Sequence, residues 1–353
     1  MKEILKLKRL YLLALLPLSG ILVLIARLSS SYVEKFHIPF IYKPLSFIIG
    51  SIVSLIPFSV FELFVALSVG FCIYYIIKNR KKPLKMLINF LCVLSVGVFL
   101  FEMTMGLNYY RYEAKHYLGL EVKKSSKQEL YELCKILAND LNENRKEAKI
   151  EGGVVVLSDK NRVATSNDAR KAYQKLSEKY PVLKGANIRN KPLLSSKLFS
   201  HFMTTGIYIP ILCESNINTD VPQHTIPATM CHELTHFRGF MRENEANFLG
   251  YLACMSSDRA DFRYSGTLMA FGYAYPKLYD EDAKLAAEIS KMLDPGIIND
   301  IRIEDEYWQK YQDKVASEVS DKVYDSYLNA NGQTSGIKSY GEMVDLLIAY
   351  YNN

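Results

Sequence analysis

Three apolar stretches in the first 106 residues constrain this chain more than any other feature. Residues 10–26 form an uncharged run of 17, bounded by Lys8-Arg9 and by Arg27. A second stretch runs over 45–77, interrupted by Pro57 and Glu62, and a third over 86–107, broken only by Glu102. A helix rises about 1.5 Å per residue, so roughly 20 residues cross a hydrocarbon core. The second stretch exceeds one crossing. Its 58–77 half reads as the span, and 45–57 as an interfacial or re-entrant approach. The expectation is a membrane domain over 1–107 with three transmembrane helices, about 10–26, 58–77 and 86–106, and an outer domain over 108–353.

Charge is divided the same way. The chain carries a net +6, but residues 1–106 hold 12 Lys/Arg against 4 Asp/Glu, and the rest holds 31 against 33. The basic excess therefore flanks apolar runs, and no basic patch is large enough to neutralise a row of phosphates. Nucleic acid is excluded as a partner on that ground, and the lipid bilayer takes its place. Lys2, Lys6, Lys8 and Arg9 crowd the N-terminal tail, and Lys78, Arg80, Lys81, Lys82 and Lys85 the loop before the third span. The positive-inside rule makes tail and loop cytoplasmic, giving a multi-pass cell-membrane protein with residues beyond about 107 extracytoplasmic. A basic start also fits a signal peptide, but no small-x-small cleavage site follows, so the first span is read as an uncleaved anchor. Glu62 and Glu102 fall near span ends, at headgroup depth. Six cysteines in 353 residues are too few for a disulfide scaffold, and the pairing of Cys134, Cys213 and Cys254 cannot be read.

From Asn108 onward the pattern is that of a mainly helical α+β domain. Ser126-Lys127-Gln128-Glu129 is a capping-box sequence, followed by Leu130, Leu133, Leu137 and Leu141 at helical spacing. Gly152-Gly153 reads as a turn into a short buried strand at 154–157. Residues 168–180 read as a helix stopped by Pro181. Residues 205–212 read as a strand, and Pro210 assigns it to a sheet edge because proline cannot donate to an inner ladder. After 225 only helices are expected, at 226–238, 243–256, 258–273, 280–292, 304–329 and 339–351.

The chemistry concentrates in 226–247. His232 and His236 are four residues apart, so a helix projects both rings from one face toward a single ion. Glu233, beside His232, is positioned to hold a water at that ion. This is the H-E-x-x-H arrangement: two zinc ligands and a carboxylate general base. Pro227 suits a first helical turn and Gly239 a helix stop. If the chain turns at Gly239 and a second helix returns antiparallel, Glu243 lies opposite His236 and Asn247 opposite His232. Glu243 then becomes the third ligand, and Asn247 hydrogen-bonds the outer nitrogen of a liganding histidine, fixing its tautomer. Glu245, about 200° further round, points away. Cys231 reads as a small packing residue.

His232-Glu233-x-x-His236 followed by Glu243-Asn244-Glu245-Ala246-Asn247 resembles the gluzincin metallopeptidases. With the N-terminal spans, the chain as a whole resembles the bacterial family called domain of unknown function 3810. The GIYIP segment, the HELTHFRGF and ENEANFLGYLAC blocks and the late YLNANG and SYG stretches carry that resemblance. It implies a zincin-like fold, one Zn2+ per chain, and the roles already read for His232, Glu233, His236 and Glu243. The spacing between the two motifs is shorter than in most gluzincins, and Asn247 stands where Asp is commoner, a weaker and uncharged orienter.

In such enzymes the strand before the active-site helix binds substrate backbone, which makes Ile207, Tyr208 and Ile209 substrate-binding candidates. Tyr324, Tyr327 and Tyr340 are candidate oxyanion donors. The reading is a membrane-anchored zinc-dependent metallopeptidase acting on a peptide or protein, with membrane or envelope proteins among the substrates to test. The alternative is a membrane sensor or binding module whose zinc is structural. Hydrolysis needs Glu233; a structural site does not.

Overall fold

The computed structural model describes residues 8–159, 161–312, 326 and 340–353. The chain forms two compact units, Met1–Tyr112 with Ile209–Glu214, and Glu113–Tyr208 with Ser215–Asn353. The assignment of six residues from the middle of the second unit to the first follows from no pattern in the sequence.

Among the described residues, the first unit holds four helices long and apolar enough to cross a bilayer: α1 (Lys8–Leu28), α2 (Ser30–Ser54), α3 (Val60–Asn79) and α4 (Pro83–Thr104). Sequence reading expected three such helices. The difference lies in α2, where 45–54, taken as an approach segment, continues a helix begun at Ser30. Glu34, Lys35, His37 and Lys43 hid that helix from a search for uncharged runs, and its mean hydropathy, 1.4, is the lowest of the four. Over Val33–Tyr42 the backbone widens to π-helical pairing around Pro39, which has no N–H to give. Two polar side chains of α2 find partners within the unit. Arg111 donates to Glu34 at 3.1 Å, and the His37 and Asn108 side chains hydrogen-bond at 3.1 Å. By contrast α3 is apolar on every face, and none of its residues is buried. A helix uncovered and apolar all round suits a lipid solvent.

The segment Ile209–Glu214 is fastened to these helices. Its turn, Pro210–Leu212, packs against α2 and α4. The Glu214 carboxylate accepts the backbone N–H groups of Val60 and Phe61, both at 2.8 Å, satisfying two of the unpaired donors that open α3.

The second unit is mostly helical. α5 (Lys127–Glu147) begins with the Ser126/Glu129 capping box and buries Leu130, Leu133, Leu137 and Leu141. The Gly152-Gly153 turn joins a two-residue pair, β1 (Ile150–Glu151) and β2 (Val154–Val155), both glycines having positive φ. α6 (Arg162–Lys179) starts earlier than expected because Asn161 caps it. Strands β3 (Asn190–Pro192), β4 (Gly206–Ile209) and β5 (Glu214–Ile217) form a sheet in the order β3-β5-β4, with β3 and β5 parallel. β4 is an edge strand, and it stops where Pro210 turns the chain, short of the expected 212. Helices α7 (Ile226–Phe237), α8 (Glu243–Met255), α9 (Ala260–Glu281), α10 (Ala283–Met292), α11 (Pro295–Gln309) and α12 (Tyr340–Tyr351) follow. α9 continues eight residues beyond the expected end, straight through Pro276. α11 begins nine residues before the expected start, because Asp294 caps it and Pro295 occupies its first position. α9 lies along α5 and α8, and α7 and α8 form an antiparallel hairpin.

Replacing Glu214 by Ala leaves the Val60 and Phe61 donors unmatched. The expected result is a lower thermal midpoint for the full chain in micelles, a loss of roughly 1–3 kcal/mol per unmatched group. Glu214→Gln should retain part of it. Unchanged midpoints in both variants would rule out the cap.

Candidate metal centre

α7 is positioned by the sheet beneath it. Asn190 on β3 donates to the Met230 carbonyl at 3.0 Å and to the Ser215 hydroxyl at 2.7 Å, tying the strands to the helix. Pro227 occupies the first turn of α7. After Phe237 the chain turns at Gly239, φ +87°, a left-handed conformation that costs glycine nothing. The Gly239 N–H bonds the His236 carbonyl at 2.9 Å. α8 is regular from Glu243 onward, which fixes the rotational setting of every side chain after it.

Three side chains converge across this hairpin. The Nε2 atoms of His232 and His236 are 3.1 Å apart. Glu243 Oε2 lies 3.3 Å from His232 Nε2, and its Oε1 lies 3.6 Å from His236 Nε2. Among the described residues this is the one group of three His, Cys, Asp or Glu side chains arranged to hold a metal ion, their ligand atoms all within 4.8 Å of one another. His236 is buried, while His232 and Glu243 keep 16% and 13% of their side-chain surface open.

The outer ring nitrogens decide what the inner ones can do. His236 Nδ1 faces the Phe240 carbonyl at 2.9 Å, an acceptor only, so Nδ1 carries the proton and Nε2 a lone pair. His232 Nδ1 faces Asn247 Oδ1 at 2.7 Å, and Asn247 Nδ2 donates to the Tyr273 hydroxyl at 3.2 Å. With both rings neutral, the two Nε2 atoms would present lone pairs to each other at 3.1 Å, a repulsive arrangement that a proton or a cation between them relieves. In the metal-free cluster, burial by itself lowers the His232 pKa, but the hydrogen bond and charge of Glu243 outweigh it and raise it to about 9. Burial pushes His236 down to about 4. Proton and cation compete for the same point.

Glu233 stands beside the cluster, buried, its pKa pushed up to about 8 by desolvation. Its Oε2 has no hydrogen-bond partner. The room it occupies exists because residue 206 is glycine: a Cβ there would sit 2.7 Å from Glu233 Oε1 and 2.7 Å from Thr229 Cγ2. Further along β4, the Tyr208 ring lies 6.3 Å from the His236 ring.

The structure therefore brings together His232, His236 and Glu243, with Asn247 on the outer nitrogen of His232 and Glu233 adjacent. Glu245 points away, accepting the Ala114 N–H at 2.6 Å and facing Arg242 at 3.6 Å. Ile207 and Tyr208 lie on the edge strand beside α7, and Ile209 ends that strand within the first unit. Cys231 is a buried packing residue whose carbonyl accepts from the Tyr173 hydroxyl at 3.1 Å, and the cysteines are free thiols. Tyr324 and Tyr327 lie outside the described residues, as does the side chain of Tyr340. Sequence reasoning missed Gly206, the Phe240 carbonyl, Tyr273 and Gly250. Gly250 had a signal, an isolated glycine inside a helix; the others had none.

Fold and cluster together define a mostly helical chain with apolar N-terminal helices and a candidate three-ligand metal centre on a helical hairpin. Residues 38–348 match the family model described as "Protein of unknown function (DUF3810)", and the chain belongs to that family. No curated protein and no solved structure matches it.

Gly250 is where α8 meets α7. A methyl there would lie 3.1 Å from His232 N and 3.2 Å from its Cα, closer than ordinary van der Waals contact, so the backbone of α7 would have to give by a few tenths of an ångström. Gly250→Ala should cost roughly 1–3 kcal/mol, read as a lower thermal midpoint. Gly272→Ala, where a methyl meets nothing within 4 Å, should not lower it. Equal midpoints for the two variants would contradict the close approach.

Proposed function

We propose that this protein is a membrane-anchored zinc-dependent peptidase of gluzincin type, with a zincin-like second unit. The observation that carries the reading is the convergence of His232, His236 and Glu243 on one point, with the unpartnered carboxylate oxygen of Glu233 beside it. Two imidazoles and a carboxylate suit zinc, and three protein ligands leave a fourth position free, the pattern of catalytic rather than structural sites. Zinc held there would polarise a carbonyl and make a water acidic enough to attack it.

The side chains supply the rest. Asn247 and the Phe240 carbonyl hold the outer nitrogens of the two imidazoles, which would leave both Nε2 lone pairs free for a cation whose charge Glu243 would offset. Glu233 accepts the proton of the attacking water and delivers it to the amine nitrogen as the C–N bond breaks. β4, an edge strand, offers unpaired backbone groups along Ile207, Tyr208 and Ile209 to an extended substrate.

Topology follows from the loop 78–85. Only α4 separates it from the second unit, so a cytoplasmic loop puts that unit outside whatever α2 does. Keeping the equally basic N-terminal tail on the same side requires α2 not to cross, leaving three crossings and a re-entrant α2. The charged first half of α2, and its being the most covered of the four helices, support this. The binding of Glu214 to the end of α3 remote from the basic loop agrees with it.

Glu233→Gln should retain zinc, measured by elemental analysis of the purified full chain, and lose peptide hydrolysis. Comparing the membrane proteomes of wild-type and Glu233→Gln cells should then reveal an accumulated uncleaved protein. Unchanged hydrolysis would remove the assigned role, and an unchanged proteome with zinc retained would favour the structural-zinc alternative. Glu243→Ala should lose zinc, Asn247→Ala should bind it roughly 10–100-fold more weakly, and Glu245→Ala should bind it normally. Reporter fusions after residues 82 and 120 should report opposite sides of the membrane; the same side for both would refute the topology.

A further inference from the structure

Large exposed apolar side chains in the second unit are mostly scattered singly, as on any protein surface. One segment differs. Leu194, Leu198, Phe202 and Met203 are 89%, 55%, 52% and 38% exposed, and the first three recur at four-residue spacing about the short helix Ser196–His201. Lys197 and His201 are exposed among them. Apolar and aromatic groups interleaved with basic ones are the make-up of a segment lying in a membrane–water interface.

The chain that follows says what covers this stripe. Three residues after Met203 begins β4, and its last residue, Ile209, already belongs to the first unit. The turn Pro210–Leu212 packs on α2 and α4, and Glu214 binds the first turn of α3. Ile209 is six residue steps from Met203, and at most about 3.6 Å per step is available, so the stripe ends within roughly 20 Å of chain fastened to the apolar helices. We propose that the Leu194–Leu198–Phe202–Met203 stripe is inserted into the interfacial layer of the bilayer, on the side that carries the second unit. The partner is the lipid surface, bound through apolar side chains. The inference rests on the membrane anchoring and not on the hydrolytic reading. If both hold, β4 lies near the bilayer surface, and the substrates are polypeptides presented there.

The test is site-directed spin labelling of the full chain in nanodiscs of zwitterionic phospholipid. Labels at Leu198→Cys and Phe202→Cys, each on a Cys72→Ser background, are compared with a label on native Cys72, which is exposed on α3, and with Lys146→Cys on the outer face of α5. Collision with oxygen, which partitions into lipid, should exceed collision with a water-soluble nickel chelate at 198 and 202, as at Cys72 and opposite to 146. Nickel-dominated relaxation at 198 and 202, with Cys72 still lipid-like, would overturn the proposal. So would protection from both reagents, which would mean that protein covers the stripe. Nickel access at Cys72 itself would instead refute the anchoring on which the inference rests, a result distinguishable from the other two.

Discussion

The candidate centre depends on one close approach. α8 comes so near to α7 that a methyl group at Gly250 would lie 3.1 Å from the His232 backbone nitrogen, tighter than ordinary contact. That proximity lets a carboxylate from the first turn of α8 reach two imidazoles on α7, and an amide one turn later reach the far side of one ring. The Gly239 turn sets the register of the hairpin, and the regular helix from Glu243 decides that Glu243 and Asn247 face inward while Glu245 faces the Ala114 backbone.

Several polar groups buried around this hairpin are matched. Glu245 has a backbone donor and an arginine, Asn247 a histidine and a tyrosine, His236 a carbonyl. Glu233 is buried with one oxygen unmatched, as is the side-chain oxygen of Asn244 on the other helix. Leaving such an acceptor without a partner costs roughly 1–3 kcal/mol or more, which stability alone does not explain. The geometry of Gly206 keeps the space around Glu233 open.

The strand that flanks this carboxylate joins two environments. Its first residues pack near α7, and its continuation is tied to helices whose uncovered faces are apolar. A single stretch of backbone thus answers to both units, and Pro210, by ending β4, is the point where one obligation gives way to the other.

Much of this was legible in the sequence because it is local. Apolar runs, the Ser126/Glu129 capping box, the Gly152-Gly153 turn and the His232/His236 spacing each act over a few residues, so composition and period reveal them. The inward face of Glu243 was legible too, since a glycine turn and a 3.6-residue period determine it once the helix starts on time. The sequence misled where charges were diluted along a helix, as in α2, and where a proline is tolerated inside one, as at Pro276 in α9. Tertiary structure alone decided that Gly206 makes room for Glu233, that Tyr273 backs Asn247, and that Glu214 serves a helix more than 150 residues earlier. These are contacts between segments far apart in the chain. No local pattern encodes them, because each depends on where the packed core brings the two partners.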